Sequence, residues 1–378
     1  MNTLSRSVAL CLLFISAKLL VAAEHPRPLE LGSDAPEFNL PGVDGKDWKL
    51  SDFANSDLLL VVFTCNHCPT AQYYEERIKK LRTDYSEKDL ALVAISPNDP
   101  ASVRLDELGW AVRGDSFEEM KEHAIEREFN FPYLYDGDDE EVSRQYGPLV
   151  TPHVFLFDSD RKLRYAGAID DSERPQHVTT NYVRNAIDSL LSGKQPTVAQ
   201  TKVVGCSVKW AGKAHLVENY MKKLAAEPVE IDLVSPEGLT ALRENKPTEG
   251  SEAKFRLINF WATWCAPCIA EFDEFVTINR MYRHREFEFI SVSMNRPDEK
   301  NRVLAFLKKK QASNQNLLFD SPKREPLIDA FDPNWQGVAP YTILINPEGE
   351  IVYSEIGTID PTALKNKILN ELNARKPW

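Results

Sequence analysis

The pattern of apolar and polar positions divides the chain into two runs of short elements in a similar order. In the first run, 58–64 is continuously apolar, as expected of a strand buried on both faces. Tyr74, Ile78, Leu81 and Tyr85 then recur at helical spacing, and Leu90–Ser96 is a second apolar strand. Strand, helix and strand at this length predict a βαβ unit with parallel pairing and a right-handed crossover. Upstream, apolar stretches around 35–40 and 49–50 flank the turn dipeptide Asp44-Gly45, which predicts a hairpin. Downstream, 97–115 is polar, and Phe117, Met120, Ala124 and Ile125 mark a second helix. Residues 154–157 and Leu163–Gly167 read as strands joined by a turn, 177–191 as a helix, and 192–212 is irregular.

The second run begins with a helix over 215–226, a strand over 229–234 and a short helix over Pro236–Glu244. A polar loop over 246–252 leads into a strand over 255–261, a helix from 269 to about 282, a strand over Phe287–Ser293 and a helix over 298–310. Strands Tyr341–Ile345 and Ile351–Ile356 follow, joined at Asn346-Pro347-Glu348-Gly349, and a helix over 361–373 closes the chain.

Each run carries two cysteines two residues apart at its first strand-to-helix turn. These are Cys65-Asn66-His67-Cys68 and Cys265-Ala266-Pro267-Cys268. A helix N-terminus offers free N–H groups and partial positive charge, which stabilise a thiolate, and the thiolate is the reactive form. A second cysteine one turn on can close a disulfide with the first. The pairs lie 200 residues apart. From first cysteine to the later X-Pro proline is 87 residues in one run and 75 in the other, and the polar insertion over 97–115 accommodates the difference. The chain is therefore an internal repeat with its boundary near 212.

Composition narrows this picture. Hydrophobic residues make up 43% of 378, enough for packed cores. A formal net charge of −12 argues against nucleic acid as a partner. The acidic run over 136–141 lacks the alternation and sixth-position glycine of a calcium loop, and reads as a solvated turn and helix start. At the N-terminus, Arg6, an apolar stretch over 8–21 and the small residues Val21-Ala22-Ala23 read as a cleaved leader over 1–23, with an uncleaved anchor as the alternative. The chain is then expected to be exported. Without Cys11 of the leader, six cysteines become five, too few for a disulfide framework and suited to redox chemistry or metal binding. Two CxxC pairs can build a zinc site, but each sits in its own βαβ unit, so no metal is expected.

With the prolines included, the order strand–CxxC–helix–strand–helix–(X-Pro)–strand–strand–helix resembles the thioredoxin fold twice over. The expected class is α/β, two tandem thioredoxin-like folds, each a central mixed sheet flanked by helices. The second copy, with Trp261-Ala262-Thr263-Trp264-Cys265-Ala266-Pro267-Cys268 and Glu271, resembles the TlpA-like extracytoplasmic thioredoxins, a group that includes reductants for cytochrome c maturation. The first resembles the redoxin-type branch through its opening hairpin, Tyr133-Leu134-Tyr135-Asp136 and 167–171. The expected domains are 24–212 (redoxin-type) and 213–378 (TlpA-like). The resemblance implies cis peptides at Pro152 and Pro340, with Thr151 and Ala339 beside them holding a substrate backbone. Thioredoxin's buried aspartate is replaced by Leu59 and Asn259, leaving Glu271 as a candidate base or a surface carboxylate. Val62 stands where a peroxiredoxin has threonine, which speaks against peroxide.

The expected catalytic residues are Cys65, Cys68, Cys265 and Cys268, with Cys265 (and Cys65 in the first copy) as exposed nucleophile and the later cysteine resolving. His67 as an imidazolium would stabilise the adjacent thiolate and make the first pair the more oxidising. Trp264 shapes a docking surface or is plain core packing. His153 lies near Cys65 or is simply a strand residue. Cys206, in Gly-Cys-Ser-Val-Lys-Trp, is a third thiol that resolves a first-copy disulfide or a buried small hydrophobe. The function expected is thiol:disulfide exchange on protein substrates, with no dissociable cofactor beyond the disulfides Cys65–Cys68 and Cys265–Cys268. The expected electron donor is a membrane-embedded thiol protein. The alternatives are a thiol-dependent peroxide reductase with an antioxidant role and a non-catalytic binding module.

Overall fold

The computed structural model describes residues 26–87, 89–246, 252–332 and 334–375. The expected leader lies outside them, as does most of the 246–252 loop.

The first half opens with the hairpin β1 (Asn39–Pro41) and β2 (Asp47–Lys49), paired antiparallel as expected. Its sheet contains β3 (Leu58–Phe63), β4 (Leu90–Ser96), β5 (Tyr133–Tyr135), β7 (His153–Phe157) and β8 (Leu163–Gly167), in the order β5-β4-β3-β7-β8. β3 runs parallel to β4 and antiparallel to β7. Every residue of β3 is buried, and its two faces feed two cores. Leu58, Leu60 and Val62 pack with the helices α1 (Pro69–Asp84) and α4 (Tyr182–Leu191). Leu59, Val61 and Phe63 pack with Leu40, Phe53, Val142 and Tyr146, the alternation a strand imposes. Between these elements lie α2 (Phe117–Glu126) and α3 (Glu141–Tyr146). A two-residue strand β6 (Val150–Thr151) just before Pro152 pairs with β9 (Cys206–Ser207).

The second half follows α5 (Ala214–Ala225). Its strands are β10 (Asp232–Val234), β11 (Phe255–Trp261), β12 (Phe287–Ser293), β13 (Gln315–Phe319), β14 (Tyr341–Ile345) and β15 (Ile351–Ile356), ordered β10-β13-β12-β11-β14-β15. The helices are α6 (Pro236–Glu244), α7 (Ala266–Tyr282), α8 (Lys300–Lys310), α9 (Glu325–Phe331) and α10 (Pro361–Arg375). Central β11 again splits two cores. Ile258 and Phe260 pack with Val303, Leu307 and Phe331, and Leu257 packs with Phe275, Ile278, Leu364 and Ile368. Each half is a mixed sheet flanked by helices, as expected.

Several expectations need correction. The helix expected from 177 starts at Tyr182, because Asp171 accepts from the Thr179 N–H at 2.9 Å and holds that stretch outside the helix. The strand expected from 229 starts at Asp232. Ile125 does not belong to the packed face of α2; it is 78% exposed. The acidic run is not simply solvated. Asp136 and Glu140 are buried, Asp136 accepting from the Ser143 N–H at 2.6 Å and Glu140 from the Ala211 N–H at 2.5 Å. Four strands and a helix (β5, β6, β9, β13 and α9) were not predicted, since each is too short for its periodicity to stand out.

The polar stretch over 97–115 forms two 3-10 turns that dock onto the second half. Arg285 donates to the Gly109 carbonyl at 2.9 Å and lays its guanidinium 3.9 Å from the Trp110 ring centroid. A side chain at Gly109 would meet the Met281 carbonyl oxygen at 2.3 Å, so this close approach requires glycine. Among the described residues, no helix is long and apolar enough to cross a membrane.

Candidate functional site

Both CxxC pairs sit where a central strand meets a helix, but the helices start at different points. In the second half the helix begins at Ala266, and Cys265 is its N-cap, its sulfur accepting from the Cys268 N–H at 3.4 Å. In the first half it begins at Pro69, and the N-cap is Cys68, its sulfur accepting from the Ala71 N–H at 3.4 Å. The proline directly after Cys68 explains the shift. Proline suits the first helical position, and the residue before it is driven out of helical conformation. Cys68 is accordingly extended, at φ −76° and ψ 117°.

At the second site Cys265 and Cys268 are joined in a disulfide. Cys265 is 5% exposed, so it is not an open thiol by itself, but Trp264, Ala266 and Pro267 around it are exposed. Trp264 is 49% exposed, with Arg324 over its ring at 4.9 Å, which removes the core-packing alternative. The Ala339–Pro340 peptide is cis, and Val338 before it is exposed. Glu271 lies one turn beyond Cys268 and is buried rather than a surface carboxylate. Its Oε2 accepts from the Ile359 N–H at 3.0 Å, while Oε1 is buried without a partner. Burial pushes its pKa up to about 7, against the pull of that N–H. Asn259, in place of a buried acid, donates to Thr342 at 3.0 Å.

The first site is enclosed. All residues from Thr64 to Cys68 are buried, and so is Asp115. Thr151–Pro152 is cis, as expected. Cys65 Sγ lies 3.1 Å from Thr151 Oγ1, and Cys68 Sγ lies 3.3 Å from the Thr151 carbonyl oxygen. Cys206 packs against both thiols, half-buried, and is neither isolated nor fully inside. Burial pushes the Cys68 pKa up, but hydrogen bonds from the Cys206 and Cys65 thiols and from the Ala71 and Cys206 N–H groups outweigh it and hold Cys68 well below its ordinary value. Burial raises Cys65, helped by its bond to Cys68 and the charge of Asp115. Cys206 is raised by its bond to Cys68 and then by burial. These interactions favour ionisation of Cys68 over Cys65 and Cys206, whereas the motif alone points to Cys65 as the attacking sulfur.

His67 interacts electrostatically with Asp115 and Cys68 rather than Cys65, and the charge of Cys68 adds to the upward shift of its pKa. Its Nδ1 pairs with Asp115 Oδ2 at 2.5 Å, and the other Asp115 oxygen accepts from the Asn66 and His67 N–H groups at 2.9 and 3.1 Å. Burial lowers the His67 pKa, but Asp115 outweighs it and the net shift is upward; Asp115 is depressed in turn, its pairing outweighing its burial. Sequence reasoning missed Asp115, which lies 48 residues from His67 in a stretch with no periodicity. His153 is a strand residue whose ring is tilted against Phe155, centroids 4.5 Å apart, and burial lowers its pKa to about 4. Among the described residues, the potential metal-ligand set is Cys65, His67 and Asp115, with ligand atoms within 4.8 Å of one another. The short His67–Asp115 bond occupies the imidazole nitrogen facing that set, so the arrangement reads as an ion pair.

Each CxxC, with its strand–helix turn and facing cis proline, marks a thioredoxin-like fold. Residues 31–166 and 239–354 match the AhpC/TSA family, and the chain belongs to that family. The thiol-disulfide oxidoreductase ResA of Bacillus subtilis (strain 168) is 30% identical over 120 residues, which cover 32% of this chain and 60% of that protein. The chain thus spans about three fifths of that relative. ResA of Bacillus cereus is 26% identical over 137 residues, 36% of this chain and 68% of the relative. Among solved structures, an uncharacterized conserved protein from Geobacillus kaustophilus is 38% identical with a TM-score of 0.43, covering 48% of this chain and 92% of its own. A hypothetical protein from Sinorhizobium meliloti 1021 is 34% identical with a TM-score of 0.44, covering 49% and 97%.

Proposed function

We propose that this protein is an exported thiol:disulfide oxidoreductase in which both cysteine pairs work by dithiol–disulfide exchange, in tandem domains over 24–212 and 213–378. The observation that carries the reading is the second site. A cysteine sulfur caps a helix, its partner lies one turn on, and the peptide before a cis proline stands open beside them. Cys265 as thiolate attacks a substrate disulfide, and a mixed disulfide forms. Cys268 then attacks Cys265, releasing reduced substrate and closing Cys265–Cys268. The backbone at Ala339 and Pro340 receives an extended polypeptide by strand-like hydrogen bonds, and Trp264 forms part of its docking surface. Glu271 takes up and returns the Cys268 proton. The chemistry needs no dissociable cofactor and no metal. Electrons come from another thiol protein, embedded in the membrane, and the ResA relatives support substrates that are protein thiols and disulfides.

The test is reduction of insulin disulfides by the full chain with dithiothreitol as donor. Activity that falls at least a hundredfold in Cys265→Ser, together with a stable mixed disulfide on Cys265 in Cys268→Ser, supports the reading. Insulin reduction unchanged in Cys265→Ser overturns it. Peroxide consumption that survives Cys265→Ser would favour a thiol-dependent peroxide reductase instead.

A further inference from the structure

The first site differs from the second in what lies against the segment before the cis proline. In the second half Val338 is 53% exposed. In the first half, Val150 and Thr151 are paired antiparallel with Ser207 and Cys206 of the same chain. This edge is where an extended polypeptide would add as a strand. The chain's own strand β9 occupies it, with Cys206 opposite Thr151 and against Cys65 and Cys68.

The fit is specific and anchored on both sides. A Cβ at Gly205 would lie 2.1 Å from the Thr151 carbonyl oxygen, so only glycine permits this approach. Upstream, Thr201 accepts from the Ala168 N–H at 2.9 Å. Downstream, the Lys209 N–H donates to Asn98 at 2.9 Å, its carbonyl accepts from Asp99, and its ammonium pairs with Glu107 at 2.5 Å. Cys65 and Cys68 are 2% and 0% exposed, whereas Cys206 is half-buried. Of the three sulfurs in the cluster, Cys206 is therefore the one on the solvent side.

We infer that Cys206 is a relay thiol, held as a built-in substrate strand, through which the enclosed Cys65–Cys68 pair exchanges electrons with low-molecular-weight disulfides rather than with extended polypeptides. The inference rests on the reading that Cys65 and Cys68 are redox-active. In the resting reduced site Cys68 is the thiolate, and Cys65 and Cys206 are thiols. Cys206, packed against the pair, passes its proton to Cys68 and attacks an external disulfide RSSR. A Cys206–SR bond forms and RS⁻ leaves, taking that proton from Cys68. Cys68 attacks Cys206 Sγ, forming Cys68–Cys206 and expelling the second RS⁻. Cys65 attacks Cys68, closing Cys65–Cys68, and its proton goes to the departing Cys206 sulfur. Two electrons pass from the dithiol to RSSR, one R group leaves as thiol and one as thiolate, and Cys206 is regenerated. With excess external thiol the same steps run in reverse.

The test uses the full chain with Cys265→Ser and Cys268→Ser, so that only the first site reports. The reduced protein is mixed with glutathione disulfide, quenched with acid, alkylated and mapped by mass spectrometry. Cys65–Cys68 forms in the parent, and Cys206→Ser and Cys206→Ala each slow its formation at least tenfold. Cys68→Ser accumulates glutathione on Cys206, and Cys65→Ser accumulates Cys68–Cys206. An unchanged rate in both Cys206 variants, or glutathione captured on Cys65 or Cys68 with Cys206 free, overturns the relay and leaves the redox reading of the pair intact. A parent in which Cys65–Cys68 never forms overturns both. The relay does not depend on the Cys206 variants folding, because it also requires that a short iodoacetamide pulse on the reduced parent label Cys206 before Cys65 and Cys68; the opposite order overturns it.

Discussion

At the scale of single residues, the buried pair His67–Asp115 and the buried acid Glu271 give distinct pH signatures. Asp115 is depressed below its unfolded value, so its stabilisation is present above about pH 4 and lost as pH falls through its folded pKa. His67 is raised, so its stabilisation is complete below about pH 6.5 and lost as pH rises through its folded pKa. The pair is therefore strongest between those limits. Asp115→Ala strands a buried imidazolium and two N–H groups, and is expected to destabilise the protein by about 3–5 kcal/mol near pH 6, read by urea denaturation. Glu271 is raised to about 7, so its contribution is complete below about pH 4.3 and lost as pH rises through 7. Glu271→Gln is expected to flatten stability between pH 5 and pH 8, and to remove the inflection near 7 from the pH–rate profile of insulin reduction. A profile identical to the parent's would rule out a proton role for this carboxyl.

At the scale of elements, strands and helices with long apolar periods were legible from the sequence, including β4, β11, β12, β14, β15 and α6. The cis prolines were legible only through the resemblance to thioredoxins. The two-residue strand β9 was not legible, because its register is set by Gly205 meeting Thr151, a contact between segments about fifty residues apart that no local pattern encodes. Likewise Asp115 gave no signal, while the shift of the α1 start was visible in principle as Pro69 following Cys68. Gly205→Ala is expected to force β9 off Val150–Thr151 at a cost of about 1–3 kcal/mol. The measurable result is at least tenfold faster alkylation of Cys65 and Cys68 in the native reduced protein, and faster hydrogen exchange at 203–208.

At the scale of the whole molecule, the repeat supplies one enclosed site and one open site, and the insertion over 97–115 joins the halves. That insertion serves both ends: Asp115 reaches the first site, and Gly109 and Trp110 meet the second half. Arg285→Ala removes a guanidinium–indole stack and a charged hydrogen bond. It is expected to cost about 2–3 kcal/mol and to split a single calorimetric transition into two. One unsplit transition at an unchanged midpoint would mean the seam contributes little to coupling.

The offset between the two helix starts bears on how duplicated proteins are compared. Superimposing the repeats by motif sets Cys65 over Cys265, yet the capping sulfurs are Cys68 and Cys265. Alignment column and chemical part have come apart within a single polypeptide, through the placement of one proline relative to its cysteines. A role copied down the column would overlook this difference in which sulfur meets the N–H groups of the helix start.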